Sequence, residues 1–196
     1  MEEQFQDLYR VQHDGNRVSA GKVLVADPFL EGPYFGRSVV YMVEHGARGS
    51  VGFVLNKPLS YPASDLRRSL RGLSLRVYAG GPVDVDHLHY LHRLQWIEGC
   101  RPLPGGVYWG GNFDMLASAI GSGQMPVSDV RFFAGYSGWD GGQLDAELKE
   151  RSWSVGEIDA RRLFSLSGEE LWHDSRSALG KRYRIRAVFP ENPMMN

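Results

Sequence analysis

Apolar residues in this 196-residue chain gather in short continuous runs rather than in strict alternation. Val23-Leu24-Val25-Ala26, Val39-Val40-Tyr41-Met42-Val43 and Val51-Gly52-Phe53-Val54-Leu55 are of strand length, and their lack of a polar face predicts strands covered on both sides. Asp27-Pro28 closes the first run. Between the second and third lies Glu44-His45-Gly46-Ala47-Arg48-Gly49-Ser50, a short glycine-containing link that predicts a hairpin centred near Ala47. That register sets Glu44 opposite Ser50 and Arg37 opposite Lys57. At about 3.3 Å per residue, Arg37 and Asn56 share one end of the hairpin, and Glu44 and His45 sit about 20 Å away at the other. The two groups cannot enter one site unless the sheet bends sharply.

Further elements follow. Leu66 and Leu70 at helical spacing, with Pro62 in the first turn, predict a short helix over 60–71. Residues 75–79 read as a strand ended by Gly80-Gly81-Pro82, and 88–91 and 107–109 are strand-like. Asn112 is placed to cap a helix carrying Phe113, Leu116, Ala117 and Ile120 on one stripe, with Gly121 as its stop. Residues 130–136 form a strand, followed by a glycine-rich turn and a helix from about 143 to 151. Ser167-Gly168-Glu169-Glu170 is a capping box for a last helix, and 182–189 read as a final strand. Asp14-Gly15-Asn16 reads as a turn in the polar N-terminal stretch. Strands that come singly, in a hairpin and between helices make one α+β domain over 21–189, with an extension at 1–20 and a tail at 190–196.

Composition narrows the classes. Hydrophobic residues at 42% and charged residues at 23% are those of a globular chain and exclude a disordered or collagen-like one. Lys and Arg number 22 against 23 Asp and Glu, so no global basic excess attracts nucleic acid or an anionic membrane. A single cysteine forms no intrachain disulfide and fits a reducing, cytoplasmic setting. The acidic, polar N-terminus lacks the pattern of a signal peptide, and no apolar run approaches the ~20 residues of a membrane helix.

Several blocks, taken in order, resemble the YqgE/AlgH family of bacterial proteins. They are Gly21-Lys22-Val23-Leu24-Val25-Ala26, Phe35-Gly36-Arg37-Ser38-Val39-Val40, Glu44-His45, and Gly52-Phe53-Val54-Leu55-Asn56-Lys57-Pro58. Gly80-Gly81-Pro82-Val83 follows, then the most distinctive block, Gly135-Tyr136-Ser137-Gly138-Trp139 with Gly142-Gln143-Leu144 and Glu147-Leu148. Trp109-Gly110-Gly111-Asn112-Phe113 and Phe189-Pro190-Glu191-Asn192-Pro193 are similar to the branch found in Bacteroidetes and related bacteria. The resemblance implies a soluble α+β domain around a strongly bent, mixed or antiparallel sheet with helices outside. Some members carry the name of transcriptional regulator. The resemblance supplies neither a reaction nor catalytic residues.

Four places could carry chemistry. The block 135–143 runs from strand through glycines into a helix, and backbone N–H groups at such a helix start attract phosphate or carboxylate. The structural alternative has its glycines taking positive φ and Asp140 capping the helix, with Gln143 closing the box. The same block approaches the G-x-S-x-G elbow of a hydrolase through Gly135 and Ser137, but Trp139 replaces the second glycine and His173 is the only later histidine. His87 and His89 share one strand face and His92 takes the other; two ligands without an obvious third predict ordinary histidines and no metal. Arg37 with Asn56 and Lys57 could bind an anion, or Arg37 could pair with a carboxylate such as Asp27 while Asn56 holds the turn before Pro58. Glu44 and His45, adjacent on a strand, face opposite ways. Arg176, Lys181, Arg182, Arg184 and Arg186 form a basic stretch, read as a solvated strand face in preference to a nucleic-acid patch.

Cys100 has no catalytic partner pattern, and Trp139 is expected at a partner surface. The expectation is a cytoplasmic binding or regulatory protein without a cofactor, the alternative being a hydrolase of an anionic small molecule. Its candidate site residues are Arg37, Asn56, Tyr136, Ser137, Trp139, Asp140 and Gln143, meeting a protein partner or a small anionic ligand. Neither direct nucleic-acid binding nor membrane association is expected.

Overall fold

In the computed structural model, which describes residues 17–73, 75–165 and 168–180, the first apolar runs form β1 (Lys22–Ala26), β2 (Val39–Gly46) and β3 (Gly49–Val54). β2 and β3 make the expected hairpin, closed by Ala47 and Arg48. A bulge between Met42 and Glu44 shifts its tip by one residue, so Glu44 faces Val51 and His45 faces Ser50.

The chain continues through β4 (Pro58–Pro62), α1 (Ala63–Leu66), β5 (Arg76–Ala79), β6 (Val83–His92), β7 (Arg101–Leu103), β8 (Val107–Trp109) and α2 (Phe113–Gly121). After these come β9 (Val130–Asp140), α3 (Gln143–Lys149), β10 (Trp153–Glu157), α4 (Ala160–Ser165) and α5 (Gly168–Ala178). The strands lie in the order β10-β1-β2-β3-β9-β6-β8-β7, with β4 and β5 branching from β9. Only the β5–β9 pairing is parallel among the described strands. The result is a curled, mainly antiparallel sheet with helices outside, an α+β fold as expected.

Both faces of the central strands are covered, which is why their sequences lack alternation. Val23, Val25, Tyr41 and Phe53 point to one core, closed by Leu163 of α4 and by Leu171 and Trp172 of α5. Leu24, Val40, Met42 and Val54 point to the other, closed by Leu144 of α3. A third core lies between β5, β6 and β9 and the helices α1 and α2, with Val77, Phe132, Leu116 and Ile120 inside. Each such fully buried large side chain contributes roughly 1.5–3 kcal/mol. Asn112 caps α2 as expected, its Oδ1 accepting from the N–H groups of Asp114 and Met115.

Other expectations are corrected. Residues 60–62 are strand rather than helix, because Pro58 and Pro62 pair with Tyr78 and Arg76 of β5. α1 lasts one turn and ends where Arg67 turns extended. The glycine-rich turn after residue 136 is instead the last part of β9, which stays paired to β3 through Asp140. β7, β10 and α4 were not foreseen: two are short, and β10 is half-polar and lies at the edge of the sheet among the described strands. The expected strand at 182–189, the turn at 14–16 and most of both terminal extensions lie outside the described residues.

Candidate functional site

The link Gly80-Gly81-Pro82 decides the local geometry. It carries the chain from β5, on one edge of β9, to β6 on the other. It passes so close that a Cβ on Gly81 would sit 2.3 Å from the Tyr136 backbone, and one on Gly135 (φ +68°) would sit 2.6 Å from the Val83 carbonyl oxygen. Glycine is required there by backbone contact rather than by a ligand.

Past this crossing, β9 alternates. Tyr136, Gly138 and Asp140 face one side of the sheet, and Ser137 and Trp139 face the other. Ser137 is fully buried, and its Oγ donates to the Gly80 carbonyl at 3.0 Å. No nucleophile is therefore presented at the elbow-like motif. Trp139 is 5% exposed, contrary to its expected place on the surface. It packs on Phe35 and Trp153, and its indole N–H donates to Glu147 Oε2 at 2.9 Å. Trp153 donates to the same oxygen at 2.7 Å, and Gln143 Nε2 donates to Glu147 Oε1. Asp140 is not the helix cap, because pairing with Gly49 holds it in β9. Gly142, at φ +79°, takes the cap position, while Gln143 Oε1 accepts the Asp140 N–H at 3.0 Å.

Arg37 and Asn56 meet, as expected, at the opposite end of the hairpin. Asn56 is 3% exposed and fully used: Oδ1 accepts from Val39 N–H, and Nδ2 donates to the carbonyls of Arg37 and Gly168. Arg37 lies over the Trp172 ring and 3.7 Å from the carboxylate of Glu169. Asp27 faces Arg176, which is fully buried and donates to the Ala26 carbonyl. Arg176 thereby leaves the basic stretch in which the sequence had placed it, and the rest of that stretch lies outside the described residues.

The histidines are dispersed. His87 pairs with Asp84, and His89 sits between Phe53 and Tyr136, its pKa pushed down by burial. His92 is buried, donating from Nε2 to the Gly110 carbonyl and accepting the Leu94 N–H at Nδ1; burial holds its pKa below the usual histidine range. Among the described residues no three His, Cys, Asp or Glu side chains converge as a metal site.

What the structure does assemble is an open cleft of about 1030 Å³ at the tip of the β2–β3 hairpin, the start of β6 and the end of β9. Glu44, Val51 and Gly138 form one cross-strand row, and His45, Ser50 and Trp139 form the next, facing the other way. In the second row His45 Nδ1 lies 2.8 Å from Ser50 Oγ. Beside the first, Arg101 pairs with Glu44 and stacks over Trp109. Tyr136 and an exposed Val83 form the apolar wall, with Arg48 and Asp140 at the rim. Thus Tyr136 and Asp140 share a site with Glu44 and His45, while Arg37 and Asn56 remain at the far end. The sequence reading missed Arg101, Val83 and Glu147. Only Glu147 left a signal, four residues after Gln143 on one helix face.

The chain is thus an α+β protein whose curled sheet ends in an open, mixed-polarity cleft. It belongs to the AlgH-like family, whose model matches residues 23–184. A UPF0301 protein of Bacteroides fragilis is 35% identical over 191 residues, covering 97% of each chain. One from Chlorobaculum tepidum is 38% identical over 180 residues, 91% of this chain and 96% of that one. The solution structure of AlgH from Pseudomonas aeruginosa superposes with a TM-score of 0.69 at 28% identity, over 89% of this chain and 98% of the other. A Corynebacterium diphtheriae protein, at 22% identity and a TM-score of 0.72 over 89% of this chain and 94% of its own, shows the same fold. No described helix is long and apolar enough to cross a membrane.

Proposed function

We propose that the protein is a cytoplasmic binding protein that engages a protein partner through the cleft at the hairpin tip, and that any regulatory role runs through that partner rather than through direct contact with DNA. One observation carries this reading: the cleft is wide, open and bounded by an exposed apolar wall, with Val83 37% exposed beside Tyr136 and with charges of both signs at its rim. Enclosed small-molecule sites bury most of their ligand, whereas an exposed apolar patch with a polar rim fits a protein surface. The anion alternative finds less support, since Arg37 lies against Glu169 and Trp172 and the Asp140 N–H is taken by Gln143. The reduced thiol expected of Cys100 accords with a cytoplasmic setting.

The test is photo-crosslinking in living bacteria, with a benzophenone amino acid at position 83 and, as the control, at exposed Arg71. A discrete adduct at 83 that is absent at 71 and fades with Tyr136→Ala is the expected result. Equal labelling at both positions refutes the reading.

A further inference from the structure

The crossing of Gly80-Gly81-Pro82 over β9 has a second effect. β6 begins against β9 at Tyr136, while β9 runs on to Asp140. On the β6 side, residues 138–140 have no strand neighbour among the described residues; β3 holds the other side. The Asp140 N–H turns to Gln143 rather than to β3, so by alternation the N–H and C=O of Gly138 also face away from β3, toward the cleft. Gly138 is exposed and has no side chain, so at the end of the Glu44–Val51–Gly138 row the Tyr136 ring and Val83 lie over its backbone, 3.3 Å and 3.8 Å from where a Cβ would stand. An unpaired edge is a template for another extended chain, and in strand addition the backbone supplies affinity while alternate side chains supply selectivity.

Resting on the reading of the cleft as a protein-binding site, we infer that its occupant is an extended segment of the partner, added as a strand along the Gly138 edge of β9. That segment carries an apolar side chain against the Tyr136 ring and exposed Val83, and a basic residue next to exposed Asp140. Its backbone hydrogen bonds come from the residue opposite Gly138 and from one N–H two residues on that reaches the Asp140 carbonyl, because the Asp140 N–H is already given to Gln143 and the Trp139 backbone faces β3.

The experiment selects peptides from a displayed random twelve-residue library on the full chain. The best binder is then resynthesised with a single N-methyl group at each position in turn. Expected are slowed exchange of the Gly138 amide on binding and losses of at least tenfold in affinity at no more than two N-methyl positions, two residues apart, with the position between them tolerated. Gly138→Leu displaces the Tyr136 ring and abolishes binding, whereas Asp140→Asn leaves the fold intact and weakens binding several-fold. A binder that tolerates every N-methyl group, or a library that yields no cleft binder, overturns the inference. So does a Gly138 amide already protected in the free chain and exposed by removing residues 181–196, since the occupant is then the chain itself. A crosslinked partner at position 83 without this N-methyl pattern leaves the binding function standing and removes only strand addition.

Discussion

Replacing Glu147 with leucine separates a structural role for the tryptophan block from a surface role. One carboxylate oxygen accepts both Trp139 Nε1, at 2.9 Å, and Trp153 Nε1, at 2.7 Å, and the two indoles are only 5% and 4% exposed. Leucine fills much of the same volume but leaves two buried donors without an acceptor. An unmet buried donor costs about 1–3 kcal/mol, so Glu147→Leu is expected to lose about 3 kcal/mol after the gain from burying its methyl groups. Glutamine retains one carbonyl oxygen for both indoles and loses only the charge assistance, about 1 kcal/mol. With a urea m-value of about 2–3 kcal/mol per molar, the unfolding midpoint falls by about 1 M for leucine and less than 0.5 M for glutamine. Tryptophan fluorescence reads both transitions, because Trp139 and Trp153 lie edge to face with centroids 6.1 Å apart. If leucine and glutamine move the midpoint equally, the shared carboxylate does not hold this cluster, and the account of why Trp139 is buried fails with it.

Other perturbations test other parts of the structure. Asn56→Leu strands the Val39 N–H and removes the donor to Arg37 and Gly168; it is expected to lower Tm by about 5–10 °C, and a change of under 2 °C contradicts the network. Ser137 is buried against Gly80, so a fluorophosphonate probe leaves it unlabelled; a Ser137 adduct found by mass spectrometry would reverse that assignment. His92 is held neutral by burial, with its pKa in the folded state below the unfolded value. Its contribution is fully present above about pH 6.5 and is lost as pH falls toward the folded pKa, with a slope of up to about 1.4 kcal/mol per pH unit. His92→Gln therefore flattens the fall in urea midpoint between pH 7.5 and 5.5, and an unchanged slope argues against it.

What could be read from the sequence divides by how far apart the interacting residues lie. The Asn112 cap and the hairpin rest on contacts within a few residues, and both were legible. The bulge near Val43 was not, because it depends on how the strand meets its neighbours rather than on its own composition. The block 135–143 was misread as a turn for a definite reason. Its glycines signal the same freedom whether they bend the chain or admit another strand, and the strand they admit comes from Gly81 and Val83, more than fifty positions earlier. Trp139 looked exposed because its sequence neighbours are small. Its burial is set by Phe35, Glu147 and Trp153, of which only Glu147 belongs to the same recognisable block.

The two ends of the β2–β3 hairpin stay apart in the structure, and each finds its partners elsewhere in the chain. Arg37 and Asn56 never approach Glu44. Glu44 meets Arg101 across fifty-seven positions, and Tyr136 and Asp140 meet the hairpin tip because β9 pairs with β3. The cleft is therefore a property of strand ends brought together by pairing, and no single motif contains it. Its one strongly local component is the row ending in Gly138, where a residue without a side chain lies under the Tyr136 ring and its backbone has no strand neighbour on the β6 side among the described residues. A glycine selected only to ease a turn would tolerate alanine wherever its φ is negative. Gly138 is not among the glycines at positive φ, and a Cβ there would meet the Tyr136 ring at 3.3 Å, so Gly138→Ala is expected to fold. The same Cβ pushes the Tyr136 ring aside by a few tenths of an ångström, so a selected peptide should bind the folded alanine variant several-fold more weakly. Unchanged affinity, measured by titration calorimetry on protein with an unaltered melting temperature, would mean that the placement of this ring contributes nothing to recognition.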